Sequence, residues 1–309
     1  MAYTTINKST DYFNTKLHSG TNSTTTITGV GFQPDMTWWK SRNNTVNHAL
    51  YDAVRGGSKL LRPNQTNAEE TNAAVSAFTS DGVTLTGGDS FTNASGYTYA
   101  SWNWKAGGGQ GSSNTDGSIN TTYTSVNTTA GFSISTYTGT GSAATVGHGL
   151  GVLPSMIIIK SRSKTGQNWI TWHKAFTSNN EYVELNTADA KDTYDMIDNT
   201  SNTTSVFAIS GDGNVNESGA TYVAYCFAEK TGYSKFGSYT GNGNANGPFV
   251  YTGFAPTWVM IKETSGSGAW RIYDSKRGLG GDNIGGNYKN ALMADVTSVE
   301  ESGATNNII

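Results

Sequence analysis

A chain of 309 residues has room for two or three domains with real cores, and only 14% of it is charged, with 38 glycines among abundant Thr, Ser and Asn. That mixture suits short strands joined by tight polar turns and excludes long helices. The 20 basic and 23 acidic residues leave a formal charge of −3, and no Lys/Arg run interleaved with aromatics follows a phosphate backbone, so nucleic acid is excluded as a partner.

In chain order, the start (Met1-Ala2-Tyr3-Thr4-Thr5-Ile6-Asn7-Lys8) lacks the charged, apolar, then small-residue order of a signal peptide. No apolar run reaches the ~20 residues of a membrane span, so the expectation is a soluble protein made in the cytoplasm, without membrane insertion. Asn-x-Ser/Thr triplets such as Asn22-Ser23-Thr24 are then a by-product of composition. Residues 13–20 read as a strand ending in Gly, and Pro34 opens a second strand that closes on Lys40. Tyr51-Asp52 follows, with His48 three positions before Tyr51. Residues 67–77, with alanines and Glu69-Glu70, are the one helix-compatible stretch of this part and predict a single crossover helix. Ser80-Asp81-Gly82 is a turn, and Ser95-Gly96 leads into an aromatic strand, Tyr97-Thr98-Tyr99, with Trp102 and Trp104 beyond it. The Gly/Ser/Thr-rich stretch 107–127 has the composition of a flexible linker.

The same signals then recur. A strand at 132–139 ends in Gly, Pro154 opens the apolar run Met156-Ile157-Ile158-Ile159 and Lys160 closes it. Trp169 precedes Trp172-His173, and Ser218-Gly219-Ala220-Thr221-Tyr222 leads into Tyr225 and Phe227. Gly211-Asp212-Gly213 is again a turn, and Cys226, inside an apolar run, reads as a buried small hydrophobe. A third time, 234–241 more loosely repeats the first strand, Pro256 and Lys262 bound Trp258-Val259-Met260-Ile261, and Trp270 precedes Tyr273-Asp274. Leu292 and Glu300-Glu301 stand at the spacing of Leu61 and Glu69-Glu70, but Ile309 is reached before another aromatic strand. The runs after Pro are apolar without alternation, as central strands covered on both faces are.

The prolines recur 120 and 102 residues apart, too long for a solenoid repeat and about the size of a small domain. The expected fold is all-β: tandem antiparallel β-sandwich domains of jelly-roll, lectin-like type, at 1–106, 128–230 and 231–309, with the linker 107–127 and an incomplete third copy. Such a third copy exposes unpaired edges. Either the sequence stops short of the natural terminus, or another chain completes the sheet, or the tail folds differently.

Catalytic constellations are missing. His18, His48, His148 and His173 occur singly, and neither a Gly-x-Ser-x-Gly elbow nor a phosphate-binding loop before a helix is present. Asp52, Glu69, Asp81, Asp89 and Glu184 are carboxylate candidates by type only for a glycosidase pair. Asp212-Gly213-Asn214-Val215-Asn216-Glu217 alternates oxygen ligands but lacks the Gly and Glu of a calcium loop and reads as an Asp/Asn-rich turn. Trp169, Trp172, Trp258 and Trp270 offer either a sugar-stacking platform or a recurring core contact, and the large residues at matching positions favour the core. No catalytic, cofactor-binding or metal residue is assigned, and no ligand-binding residue is identified. The expectation is a protein that is not an enzyme.

Three stretches carry a resemblance: Gln33-Pro34-Asp35-Met36-Thr37-Trp38-Trp39-Lys40-Ser41-Arg42, Tyr99-Ala100-Ser101-Trp102-Asn103-Trp104-Lys105-Ala106, and Tyr222-Val223-Ala224-Tyr225-Cys226-Phe227-Ala228-Glu229. With the opening Met1-Ala2-Tyr3-Thr4-Thr5-Ile6, they resemble a family of virion proteins of marine bacteriophages, cyanophages among them, of tail-fibre or structural type. The resemblance spans nearly the whole chain and implies lectin-like sandwich domains, a homotrimer, virion localisation and other virion proteins as partners. It transfers no binding residue. Three functions follow as expectations: a tail fibre or similar appendage attaching to host-surface polysaccharide, a structural virion component such as a capsid decoration, and a polysaccharide depolymerase, in that order.

Overall fold

The computed structural model describes residues 4–244, 246–278 and 290–301. Met1, Ala2, Tyr3 and the region past Glu301, where the third copy breaks off, lie outside the described residues. The first repeat forms β1 (Phe13–Ser19), β2 (Thr25–Ile27), β3 (Met36–Ser41), β4 (Ala49–Asp52), β5 (Lys59–Leu60), β6 (Glu70–Thr71), β7 (Val75–Thr79), β8 (Gly82–Leu85) and β9 (Thr98–Trp104). The second forms β10 (Tyr123–Asn127), β11 (Phe132–Thr138), β12 (Ala144–Gly147), β13 (Met156–Ser161), β14 (Ile170–His173), β15 (Glu181–Glu184), β16 (Asp192–Thr193), β17 (Val206–Ile209) and β18 (Thr221–Phe227), with one helical turn, α1 (Gly213–Asn216), before β18. The third contributes β19 (Trp258–Ile261), β20 (Arg271–Asp274) and β21 (Leu292–Met293).

The all-β expectation holds, and every ladder between these strands is antiparallel. The first sheet runs β1-β9-β3-β4, and the second runs β10-β11-β18-β13-β14-β15-β16, so β11-β18-β13-β14 repeats the first sheet's order. The register repeats as well. Met36 faces Trp104 and Ser41 faces Tyr99, while Met156 faces Phe227 and Ser161 faces Tyr222. The third sheet is β19-β20-β21, and smaller sheets β2-β8-β7 and β12-β17 lie outside the first and second.

The strands after Pro34 and Pro154 are covered on both faces, which accounts for their unbroken apolar pattern. Trp39, Ala49 and Tyr51 pack outward on Ile27, Val75, Val83 and Leu85 of the β2-β8-β7 sheet. Ile157, Ile159 and Cys226 pack outward on Val146, Phe207 and Ile209 of β12 and β17. The opposite faces meet one another: Trp38, Trp102 and Trp104 from the first sheet, Ile158 and Tyr225 from the second, and Trp270 and Ile272 from the third belong to one buried cluster. The three sheets therefore share an inner core, and a sandwich layer closes each of the first two on the outside.

The glycine that ends each first strand has a packing reason. A Cβ on Gly20 would lie 1.9 Å from the Ala94 carbonyl oxygen, and one on Gly139 would lie 2.3 Å from that of Glu217, distances that only Gly survives. The tyrosine that opens β9 and β18 ties down the same turn. Tyr99 accepts from the Ala94 amide and donates to the Ser90 carbonyl; Tyr222 accepts from the Glu217 amide and donates to the Gly213 carbonyl.

Three expectations fail. Residues 67–77 are not a helix but hold β6 and the start of β7, because pairing with β5 and β8 supplies backbone partners that outweigh the Ala/Glu propensity. The stretch 107–127 is not a free linker. Asp35 accepts from the amides of Ala106 (2.6 Å), Gly108 (3.0 Å) and Gly109 (2.7 Å), and β10 pairs along β11. Residues 234–241 form no strand, and Tyr239 is 52% exposed. Their counterparts β1 and β11 pair with β9 and β18, and no strand of that kind accompanies the third sheet among the described residues.

Candidate functional site

The sheets join head to tail through three recurring contacts. The first comes from the residue ahead of the aromatic-polar pair. The ring N–H of Trp169 donates to the Arg62 carbonyl (3.0 Å), that of Trp270 donates to the Glu184 carbonyl (2.8 Å), and His48 Nε2 meets the Met293 carbonyl (2.8 Å). The second comes from the lysine closing each Pro strand. Lys160 reaches the Thr66 carbonyl, Lys262 that of Ala188 and Lys40 that of Thr297, each also capping carbonyls of its own sheet. The third is a backbone bond: Glu69 N to Arg162 O, Lys191 N to Thr264 O, and Glu300 N to Arg42 O. Second sheet holds first, third holds second, and first holds third, so the contacts close a ring.

Burial pushes Lys40 and Lys160 down to about 8, so at neutral pH both stay charged and donate hydrogen bonds to the carbonyls at the junctions. A further contact links inner faces at two of the three junctions. Tyr225 donates to Asp52 (2.7 Å), which is paired with Arg55, and Trp102 donates to Asp274 (2.9 Å), which is paired with Arg277. The equivalent position in the second sheet holds His173, with Phe176 in place of the arginine, and among the described residues no aromatic strand from the third sheet reaches it.

The candidate acids are mostly consumed by structure. Asp52 is fully buried in its ion pair, Glu69 bridges Arg55 and Arg162, Asp81 accepts from the amides of Gly29 and Gly31, and Asp89 accepts from those of Phe91 and Thr92. Glu184 lines a surface depression, with Tyr182, Asp189, Ala190, Lys191 and Asp192. Burial and then neighbouring Asp189 and Asp192 raise its pKa, partly offset by Asn168, which donates to it. Chemically that spot offers a carboxyl beside acidic companions. Among the described residues no group of three His, Cys, Asp or Glu is placed to hold a metal ion.

The four histidines remain apart. His18 stacks on Tyr99, His48 lies in the first junction with the third sheet, His148 bonds the Thr203 carbonyl, and His173 packs on Phe176 and Phe236. The 212–217 stretch is a capped turn: Asp212 accepts from the Asn214 amide at the start of α1. Trp169, Trp172 and Trp270 are buried, and Trp258 is half-buried against Phe13 and Trp104, so all four serve the core. Cys226 is buried and its thiol is pushed up by desolvation.

What the molecule offers outward is concentrated on the third repeat. The exposed large apolar side chains include Tyr239, Phe249, Val250 and Tyr251, all in the segment leading to β19. β19 itself pairs only with β20, and its four residues are half-buried where β3 is wholly buried. Sequence reasoning missed the ring, whose acceptors are main-chain carbonyls that leave no trace in side-chain type.

Fold and surface together define an all-β protein of several antiparallel sheets, joined head to tail by the contacts above. By comparison with known families, residues 8–308 match the model described as Domain of unknown function (DUF7483), and the chain belongs to that family. No curated protein and no solved structure matches the chain. Among the described residues no helix is long and apolar enough to cross a membrane.

Proposed function

We propose that the chain is a non-catalytic structural protein, a rigid building block that couples to other proteins of a virion through its third sheet. The observation that carries this reading is the contrast between the sheets. In the first two, the strand after Pro is paired on both sides, while among the described residues β19 of the third is paired on one side and follows a segment with exposed aromatics. The resemblance to bacteriophage virion proteins supplies the setting, with other virion proteins and copies of this chain as partners. Particles purified from cultures making the protein should contain it at fixed stoichiometry, read by mass spectrometry and by labelled imaging. Purified particles free of it overturn the reading.

One observation favours attachment to host-surface polysaccharide as a second reading. Tyr239, Phe249 and Tyr251 present aromatic surface to solvent, the kind that stacks on pyranose rings, and many copies on one particle raise weak affinities. A glycan array probed with the assembled protein tests it. Absence of any signal, with normal adsorption of particles lacking the chain, removes it. Depolymerase activity has only the Glu184 depression behind it, and unshortened host polysaccharide after incubation disposes of it.

A further inference from the structure

We propose that Asn242 is a self-modification site: a side-chain amide that the folded loop 242–247 turns into aspartate and isoaspartate through attack by its own main chain. The reaction needs no partner, so it stands or falls apart from the structural reading above.

Asn-Gly occurs at two places in the chain, 242–243 and 246–247, both in the segment ahead of β19 that belongs to no strand. Asn242, Gly243, Asn246 and Gly247 are all exposed. Loss of an asparagine amide requires the next main-chain nitrogen to reach the side-chain carbonyl carbon. Gly leaves that path open because it has no Cβ, and Gly243 sits at φ +65° with nothing within 4 Å of where a Cβ would stand. Its N–H makes no hydrogen bond among the described residues, so none has to break before it reacts.

The side chain is held for the attack. Asn242 Oδ1 accepts from the Asn244 amide (3.1 Å), and its Nδ2 donates to the Asn246 carbonyl (3.0 Å). In such a turn the side chain takes the place of a stretch of main chain and curls over the peptide that follows it. An N–H aimed at Oδ1 also stabilises the negative charge that this oxygen takes up when its carbon is attacked, as an oxyanion hole does. Asn246 has Gly247 after it but no amide on its Oδ1 among the described residues, so Asn242 reacts ahead of it. Buried Asn93 and Asn216 are protected: their amides are bonded across loops, and Ala94 and Glu217 follow them with a Cβ that shields the nitrogen.

The chemistry balances with water as the only other reagent. Gly243 N gives its proton to solvent and bonds to Asn242 Cγ; the Cγ–Nδ2 bond breaks, and the nitrogen leaves as ammonia with a proton from solvent, closing a cyclic imide. Water then opens the imide. Opening at the side-chain carbonyl gives aspartate, and opening at the main-chain carbonyl gives isoaspartate, in which the chain runs through the former side chain. Either product takes the formal charge from −3 to −4, in the segment that also exposes Phe249 and Tyr251. The contacts that hold the third sheet to the second, through Lys262 and Trp270, lie downstream, so the fold tolerates the change.

The test holds the folded full chain at about pH 6 and about pH 8.5 and follows it by peptide mass spectrometry, beside a free synthetic peptide of residues 238–252. A gain of about 1 Da is expected at Asn242, located by fragmentation, with part of the product accepting a methyl group from isoaspartyl methyltransferase. Conversion should be faster at the higher pH, where the Gly243 N–H is more readily lost. In Gly243→Ala it should slow about tenfold or more, with the thermal unfolding of the chain unchanged. Asn242 left intact in the folded chain while the free peptide converts overturns the proposal, as does a rate undiminished by Gly243→Ala or a lead by Asn246.

Discussion

His48 should make the junction between the first and third sheets acid-sensitive. Its Nδ1 accepts from the indole of Trp38 (2.9 Å), and its Nε2 faces the Met293 carbonyl, which can only accept. Both bonds are satisfied only by the neutral ring with its proton on Nε2. Protonating Nδ1 would set two N–H groups against each other in a fully buried site. Burial, then the charge of Lys40, push its pKa from 6.5 down to about 3. A folded value below the unfolded one means that stability is complete above 6.5 and is lost as pH falls through that value toward the folded pKa. With this shift the loss is about 2 kcal/mol by pH 5. The assay is urea unfolding at stepped pH between 7.5 and 5 (about the carboxylate-free window) for the native chain and for His48→Phe. The variant starts less stable at neutral pH, having left the Trp38 indole and the Met293 carbonyl unpaired, but its decline with acid should be shallower by that amount. Parallel declines for the two proteins would refute the reasoning, since the other three histidines titrate in both.

Other outcomes follow from the same contacts. Tyr225→Phe strips one donor from buried Asp52 without opening a cavity and should cost about 1–3 kcal/mol, seen as a lowered melting temperature; a double-mutant cycle with Asp52→Asn should show strong coupling. Gly139→Ala should destabilise by more than about 2 kcal/mol, whereas Gly241→Ala should stay within about 0.5 kcal/mol, by thermal unfolding of each. Asp35→Ala removes the acceptor of three amides and should open 106–109 to limited proteolysis at a rate the native chain does not show. If 106–109 is cleaved no faster in the variant, the clamp is not what orders it.

Much of the architecture was readable before any coordinates. The Pro-to-Lys strands, the glycine that ends each first strand and the aromatic-polar pairs all recur in space as they do in the chain, because each is fixed by local demands: a missing N–H, an absent Cβ, a face to bury. His48, Trp169 and Trp270 were visible as a recurrent position, but not as the pegs joining one sheet to the next. Their partners are carbonyls in loops of other repeats, and a carbonyl is the same in every residue. Residues 67–77 misled for a related reason, since Ala and Glu report intrinsic preference while strand pairing with β5 and β8 decided the outcome. The Gly-rich stretch after Ala106 misled because its composition describes a chain without an anchor, and Asp35, far upstream, is that anchor. At the candidate site the departure of His173 from the Asp of the other two pairs was legible, while what Asp52 and Asp274 meet there needed the coordinates.

Fusing three wedges into one polypeptide has a geometric consequence. A ring assembled from identical separate subunits repeats every feature around its circumference, so any opening would occur three times over. Here covalent continuity lets one wedge depart from its siblings while contacts still run from each sheet to the next.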